Sequence, residues 1–121
     1  MSFTPIVNSK KISNLPAEPI YLSVSFPLLV SPLNPKTISI RIYLGSDCVC
    51  TDNKSVSRLA LGNGTTLVGK QLWIDATVAD SNKPAQQNEV DYDLESSSQT
   101  VDLSRQTDPG PNTQFDFTYQ F

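Results

Sequence analysis

Ile20-Tyr21-Leu22-Ser23-Val24-Ser25-Phe26-Pro27-Leu28-Leu29-Val30 places an apolar residue at every even position. Successive side chains leave a strand on opposite faces, so a two-residue period held this long predicts a strand with one face in a core and one toward water. Pro27 has no N–H to give a ladder, which predicts an edge or a bulge midway along it. The same period closes the chain, where Phe115, Phe117, Tyr119 and Phe121 alternate with Asp116, Thr118 and Gln120.

Outward from this stretch the pattern repeats. Thr37–Gly45 buries Ile38, Ile40, Ile42 and Leu44 and turns Ser39, Arg41 and Tyr43 outward. Ser46–Thr51 reads as a short strand past a bend at Gly45, and Val56–Leu61 as another, ended by the turn Gly62-Asn63-Gly64. Leu67–Val78 sets Leu72, Ile74, Ala76 and Val78 on one face. In Val90–Glu95, Val90, Tyr92 and Leu94 point inward. Gln99–Leu103 is a short strand with Val101 and Leu103, and Thr113–Phe121 is the last. Prolines, glycines and asparagines mark loops at 31–36, 79–89 and 108–112. No ten-residue stretch shows a helical period.

Seven or eight such strands predict an all-β fold, an antiparallel β-sandwich of immunoglobulin-like or jelly-roll-like type. Alternation, rather than solid apolar runs, is what antiparallel sheets wet on one side produce. At 121 residues the chain makes one domain. Residues 1–19, with three prolines and no period, read as an extended N-terminal arm, and 20–121 as the sandwich.

The net charge is −3, which gives no basic footprint for nucleic acid. The charge is polarised: residues 1–83 carry eight bases and five acids, whereas 84–121 carry Arg105 against seven acids. No apolar run is long enough for a membrane span, so no membrane insertion is expected. No signal-peptide pattern precedes the first strand, which predicts a cytoplasmic chain or one released without a signal peptide. Cys48 and Cys50 lie two apart, on one face of a regular strand and poorly placed to bridge each other. They read as reduced thiols, and two ligands without a histidine do not close a metal site.

One stretch carries a resemblance. Val68-Gly69-Lys70-Gln71-Leu72-Trp73-Ile74-Asp75-Ala76-Thr77-Val78-Ala79-Asp80, followed by Asn88 and Val90–Leu94, resembles the final hairpin of bacterial immunoglobulin-like, adhesion-type modules over residues 67–94. There a strand ending in Val-x-Asp leads through an Asn-containing loop into the last strand. The chain departs from that pattern by running on beyond the hairpin. The resemblance implies a fold, with binding or assembly as the usual role, and carries over no functional residue.

Catalytic chemistry finds little footing. Asp91, Asp93 and Glu95 share a strand face at steps of about 7 Å, but they alternate outward on a polar surface, whereas a glycosidase acid needs an apolar pocket to raise its pKa. The chain has no histidine, the commonest base for a Ser or Cys nucleophile. Gly62-Asn63-Gly64-Thr65-Thr66 lacks the Lys-Ser/Thr that completes a phosphate loop. Asp75, Asp80, Asn82, Asn88 and Glu89 offer oxygen ligands around one loop, as a calcium ion would use, but their spacing matches no calcium-loop pattern and simple turn chemistry accounts for them better. No catalytic residue, cofactor or metal is predicted.

The informative residues are those on the wet faces. With the even positions inside, Tyr21, Leu29, Tyr43 and Trp73 point outward, with Gln71 and Asp75 flanking Trp73. Large aromatics in such a setting are covered by a loop or the N-terminal arm as a minor core, or are anchors of a protein interface, or a platform for a sugar. The leading expectation is a non-enzymatic structural or adaptor protein that works through a protein partner or self-association. It would be a subunit of a larger assembly, similar in architecture alone to small sandwiches of phage tails or contractile particles. The alternative is a carbohydrate-binding module, with or without calcium.

Overall fold

Ile20, Leu22 and Val24 are fully buried and Phe26 nearly so, so the even face of the first-quoted stretch is the core face. The structure, a computed structural model, describes residues 4–27, 36–80, 87–109 and 112–121. It is a two-layer β-sandwich. The strands are β1 (Thr4–Lys11), β2 (Pro19–Ser25), β3 (Lys36–Leu44), β4 (Asp47–Asp52), β5 (Val56–Asn63), β6 (Gln71–Asp80), β7 (Asn88–Ser96), β8 (Thr100–Asp108) and β9 (Asn112–Gln120). One sheet has the order β1-β9-β6-β3-β4, the other β5-β2-β7-β8.

The core lies between the sheets. Leu72, Ile74, Ala76 and Val78 of β6 and Phe115, Phe117 and Tyr119 of β9, neighbours in one sheet, face Val90, Tyr92 and Leu94 of β7 in the other, all buried. Tyr92, Phe117 and Tyr119 form a tilted aromatic run with centroids 4.7 and 4.9 Å apart, the offset geometry that ring quadrupoles prefer. Each of these side chains contributes on the order of 2–3 kcal/mol through removal of apolar surface from water.

Five features depart from the sequence expectation. First, the described residues form nine strands, because the segment expected as an arm is partly a strand: β1 pairs with β9 over all eight of its residues, in parallel. Every other pairing is antiparallel. Second, β6 begins at Gln71 rather than Leu67, because Gly64–Leu67 makes one helical turn. Asn63 caps it, its side-chain oxygen accepting from the Thr65 N–H at 3.0 Å, and Leu67 is buried beneath it. Gly64 is required there by crowding: a Cβ would lie 1.9 Å from the Pro16 carbonyl oxygen.

Third, β6 and β7 belong to different sheets, so residues 67–94 are not a hairpin. Fourth, β8 extends to Asp108 and presents its even residues inward. Asp102, Ser104 and Gln106 stand beside Leu94, Tyr92 and Val90 of β7, while Leu103 is 68% exposed. Fifth, Cys48 and Cys50 part company. The register of β4 on β3 slips between Ile42, opposite Cys50, and Tyr43, opposite Cys48. The bulge at Val49 therefore turns Cys48 to the outside and tucks Cys50 toward the core. Both thiols are free, and burial pushes that of Cys50 above its ordinary value. Leu28–Pro35, including Leu29 and the end of the first-quoted stretch, lies outside the described residues.

Candidate functional site

Three central strands bring most of the outward candidates together. In the ladder β3-β6-β9, Tyr43 stands opposite Trp73 and Trp73 opposite Thr118. One pleat along, Arg41 stands opposite Asp75 and Asp75 opposite Asp116. These odd positions of β3 and β6 and even positions of β9 form the outer face of the five-stranded sheet, because their neighbours in sequence fill the core.

The rings of Tyr43 and Trp73 stack with centroids 5.0 Å apart and planes 22° from parallel. The indole Nε1–H donates to Asp116 Oδ1 at 2.5 Å, which fixes the ring against the sheet. Asp75 is held from two sides. Arg41 Nη2 donates to its Oδ2 at 3.0 Å, and Gln114 Nε2 donates to its Oδ1 at 3.1 Å. The Asp75 side chain is only 3% exposed, that of Arg41 55%. The guanidinium is thus the solvent-facing lid of a buried carboxylate, and its own pKa is raised by the hydrogen bond and charge of Asp75. Gln71, at the end of β6, is exposed, and its carbonyl accepts from the Gly45 N–H at 2.8 Å.

Tyr21 does not join this cluster. It lies on β2, on the outer face of the other sheet, where the Arg58 guanidinium sits 4.3 Å from its ring centroid and reaches Glu95 at 3.1 Å. Arg58 is placed by a break in the β2–β5 register and adopts φ +50°, a left-handed conformation uncommon for a side chain of this size. The cation–π contact and ion pair accompany that strain. Leu29 lies outside the described residues.

The outward acids of β7 share the Tyr21 face. Arg105 forks onto Asp91 at 2.6 and 3.0 Å and lies 3.5 Å from Glu89. Asp93 is different. One of its oxygens is buried without a hydrogen-bond partner among the described residues, and burial, with the neighbouring charge of Glu95, raises its pKa. It borders a groove of about 400 Å³ with Ser25, Asp91, Leu103 and Arg105.

Of the loop residues weighed as calcium ligands, Asp75, Asn88 and Glu89 do not converge, and the side chain of Asp80 lies outside the described residues. Asp75 bonds Arg41 and Gln114 on one outer face, and Glu89 meets Arg105 on the other. The Asn88 amide donates inward to Thr113 Oγ1 at 3.0 Å. Asn82 lies outside the described residues, and among those described no three acid, cysteine or histidine side chains gather as a metal site. No helix among the described residues is long and apolar enough to cross a membrane.

Sequence reading missed Arg41, Gln114 and Asp116 as members of the cluster. Each sits at an outward position of an alternating strand, so the signal for its exposure was present. The strand order that makes β3, β6 and β9 neighbours was not. Comparison of the chain with family models, curated proteins and solved structures returns no match.

Proposed function

We propose that this protein is a non-catalytic β-sandwich subunit or adaptor that acts through protein contacts, and that the outer face of the five-stranded sheet is its contact surface. The observation that supports this is the Tyr43–Trp73 stack, pinned by Asp116 beside the Arg41–Asp75 pair. Tyr, Trp and Arg are the residues that dominate interface energetics, and here all three are held in place before any partner arrives. Pre-ordered anchors lose little rotamer entropy on binding.

The sugar-platform alternative gains less from the same geometry. Each ring of the pair gives one face to the other, Tyr21 stands on the opposite sheet, and its ring is taken by Arg58. The aromatics therefore do not extend into one open plane.

The test is sedimentation or light scattering of the intact chain over a wide concentration range, alone and with candidate protein partners, for the parent and for Tyr43→Ala and Trp73→Ala. The expected result is concentration-dependent or partner-dependent association that both substitutions weaken at least tenfold, with circular dichroism unchanged. Association of undiminished strength in both variants would overturn this placement of the surface.

A further inference from the structure

The attachment of β1 is unlike that of any other strand. Like β4, β5 and β8 it joins the sandwich along one edge, but among the described residues its ladder, to β9, is the parallel one. Of its described side chains only Ile6 packs against the core, whereas Val7 is 65% exposed and Asn8, Ser9, Lys10 and Lys11 are exposed. Apolar burial therefore contributes little to holding it. What holds it is the backbone ladder to β9 together with a row of polar groups on β8 and β9. Gln106, 2% exposed, uses one amide group on two backbones, Nε2 donating to the Ile6 carbonyl at 3.2 Å and to the Asp116 carbonyl at 3.3 Å. Its Oε1 accepts from the Tyr92 hydroxyl at 2.6 Å. Lys10 Nζ donates to Asp102 Oδ1 at 2.7 Å and to Ser104 Oγ at 3.2 Å, and Tyr119 donates its hydroxyl proton to the other Asp102 oxygen at 2.8 Å. These side chains form a receptor for an extended strand with an apolar residue at one inward position and an ammonium four residues later.

The link to the rest of the chain is suited to release. Ile12 makes the last ladder-like bond, its N–H donating to the Gln120 carbonyl at 2.8 Å. Beyond it, 12–18 has no regular structure, and its far end is fastened. The Gly64 N–H donates to the Glu18 carbonyl at 3.0 Å, Pro16 crowds Gly64, and Ser98 bonds the Glu18 carboxylate. Residues 12–15 are thus a short hinge between a fixed point and an edge strand, tacked to the core by Ile12 and Leu15 and with a reach of about 14 Å when extended.

From this the geometry points to strand exchange: the β8–β9 receptor takes up β1 of a second copy of the chain, and this is how copies link. Every contact made by β1 in its own sandwich is available in the neighbour's, so exchange puts at stake only what the opened hinge makes, the core packing of Ile12 and Leu15 and the Ile12 N–H bond, and is set by concentration and by that hinge. Charge favours the same occupant. β1 carries Lys10 and Lys11, and the receptor strands belong to the acid-rich 84–121 half of a chain that is net negative. The inference rests on the assembly reading above but uses a different edge of the molecule.

Ser9 and Thr118 are partners in the β1–β9 register, at a Cα spacing that a disulfide spans. The test mixes two full-length variants in a Cys48→Ser, Cys50→Ala background, one with Ser9→Cys and the other with Thr118→Cys, in a glutathione redox buffer at high protein concentration. Exchange predicts that the disulfide-linked heterodimer exceeds either homodimer at least fivefold, and that it does so equally when both variants also carry Trp73→Ala, which removes association through the outer face that Ser9 and Thr118 share with Trp73. A statistical mixture of dimers, or glutathione adducts alone, would overturn it. The double variant Ser9→Cys/Thr118→Cys, diluted, supplies the control for folding, since a native sandwich closes that bond within one chain. If no heterodimer forms while the parent still associates through Tyr43 and Trp73, strand exchange falls and the aromatic surface stands. If the heterodimer forms while the aromatic variants associate like the parent, the reverse holds.

Discussion

Asp75 on β6 and Asp116 on β9 stand directly opposite each other across the ladder, two carboxylates in register, each held by different donors. Like charges so placed oppose sheet formation, and here Arg41 and Gln114 on one side and the Trp73 indole on the other offset that cost. Arg41→Met is therefore expected to lower the melting temperature by leaving Asp75 buried beside another acid. Arg41→Met/Asp75→Asn is expected to recover most of the loss, and thermal unfolding of the parent, the two single variants and the double measures the coupling. Equal melting of Arg41→Met and the parent would contradict it.

Trp73→Phe keeps a ring against Tyr43 but removes the N–H that Asp116 accepts. A hydrogen bond to a charged, half-buried group contributes about 1–2 kcal/mol, and urea unfolding should show a loss of that size. Trp73 is the only tryptophan, so its fluorescence in the parent reports directly on whatever covers this face. A partner that docks there shifts the emission; one that docks elsewhere leaves it unchanged.

Two acids should give opposite pH signatures. At Asp102, burial pushes the carboxyl up, but hydrogen bonds from Lys10, Ser104 and Tyr119 and the charge of Lys10 outweigh it and hold it below its ordinary value of 3.8. The folded state thus binds that proton less readily than the unfolded one, and the stability it contributes is full above 3.8 and fades as acid titrates the folded group. Asp102→Asn is expected to cost about 1 kcal/mol at neutral pH, discounted for the half-exposed Lys10, and the difference from the parent should close in acid. Asp93 has the reverse sign. Burial and Glu95 raise its pKa, so its charge opposes folding once pH rises through the folded value. Asp93→Asn should raise the melting temperature at neutral pH and change it little below the ordinary carboxylate range.

Phe115 is fully buried at the centre of the β9 core face. Phe115→Ala should cost about 3–5 kcal/mol through lost transfer energy and the cavity left behind, read as a shift of the denaturant midpoint. Gly64→Ala should also destabilise, by the steric route that the Pro16 carbonyl dictates, and should loosen the fixed end of the β1 hinge.

Alternation made β2, β3, β6, β7 and β9 legible because each carries three or more consecutive apolar residues on its inward face. It failed where that face is polar. β8 turns Asp102, Ser104 and Gln106 inward and leaves Leu103 in solvent, an inverted pattern that reads as a short strand facing the wrong way. β1 gives Ile6 alone to the core, so no period announces it. Both strands serve the polar seam between the sheets, and that seam depends on which strands meet, which no local pattern records. The same reason hid the candidate site: Tyr43, Trp73 and Asp75 were visible as outward residues, whereas the partners Arg41, Gln114 and Asp116 became so only through the β3-β6-β9 order. Tyr21 was grouped with Trp73 because alternation says inward or outward without saying which sheet.

The place of β9 has a consequence for how the chain acquires its structure. Strands made more than a hundred residues apart, β1 and β9, are neighbours, and β9 lies inside its sheet with β6 on its other side. Only β3–β4 and β7–β8 pair with the next strand in sequence. During synthesis, then, the five-stranded sheet cannot close until β9 has been made, and until that moment β1 has no ladder to join while β6 offers a bare edge. Folding dominated by such distant pairings runs on the millisecond-to-second scale, about a thousandfold slower than helical bundles of similar size. Until β9 is in place, the open edge of β6 is the part of this sheet most exposed to pairing with a wrong strand.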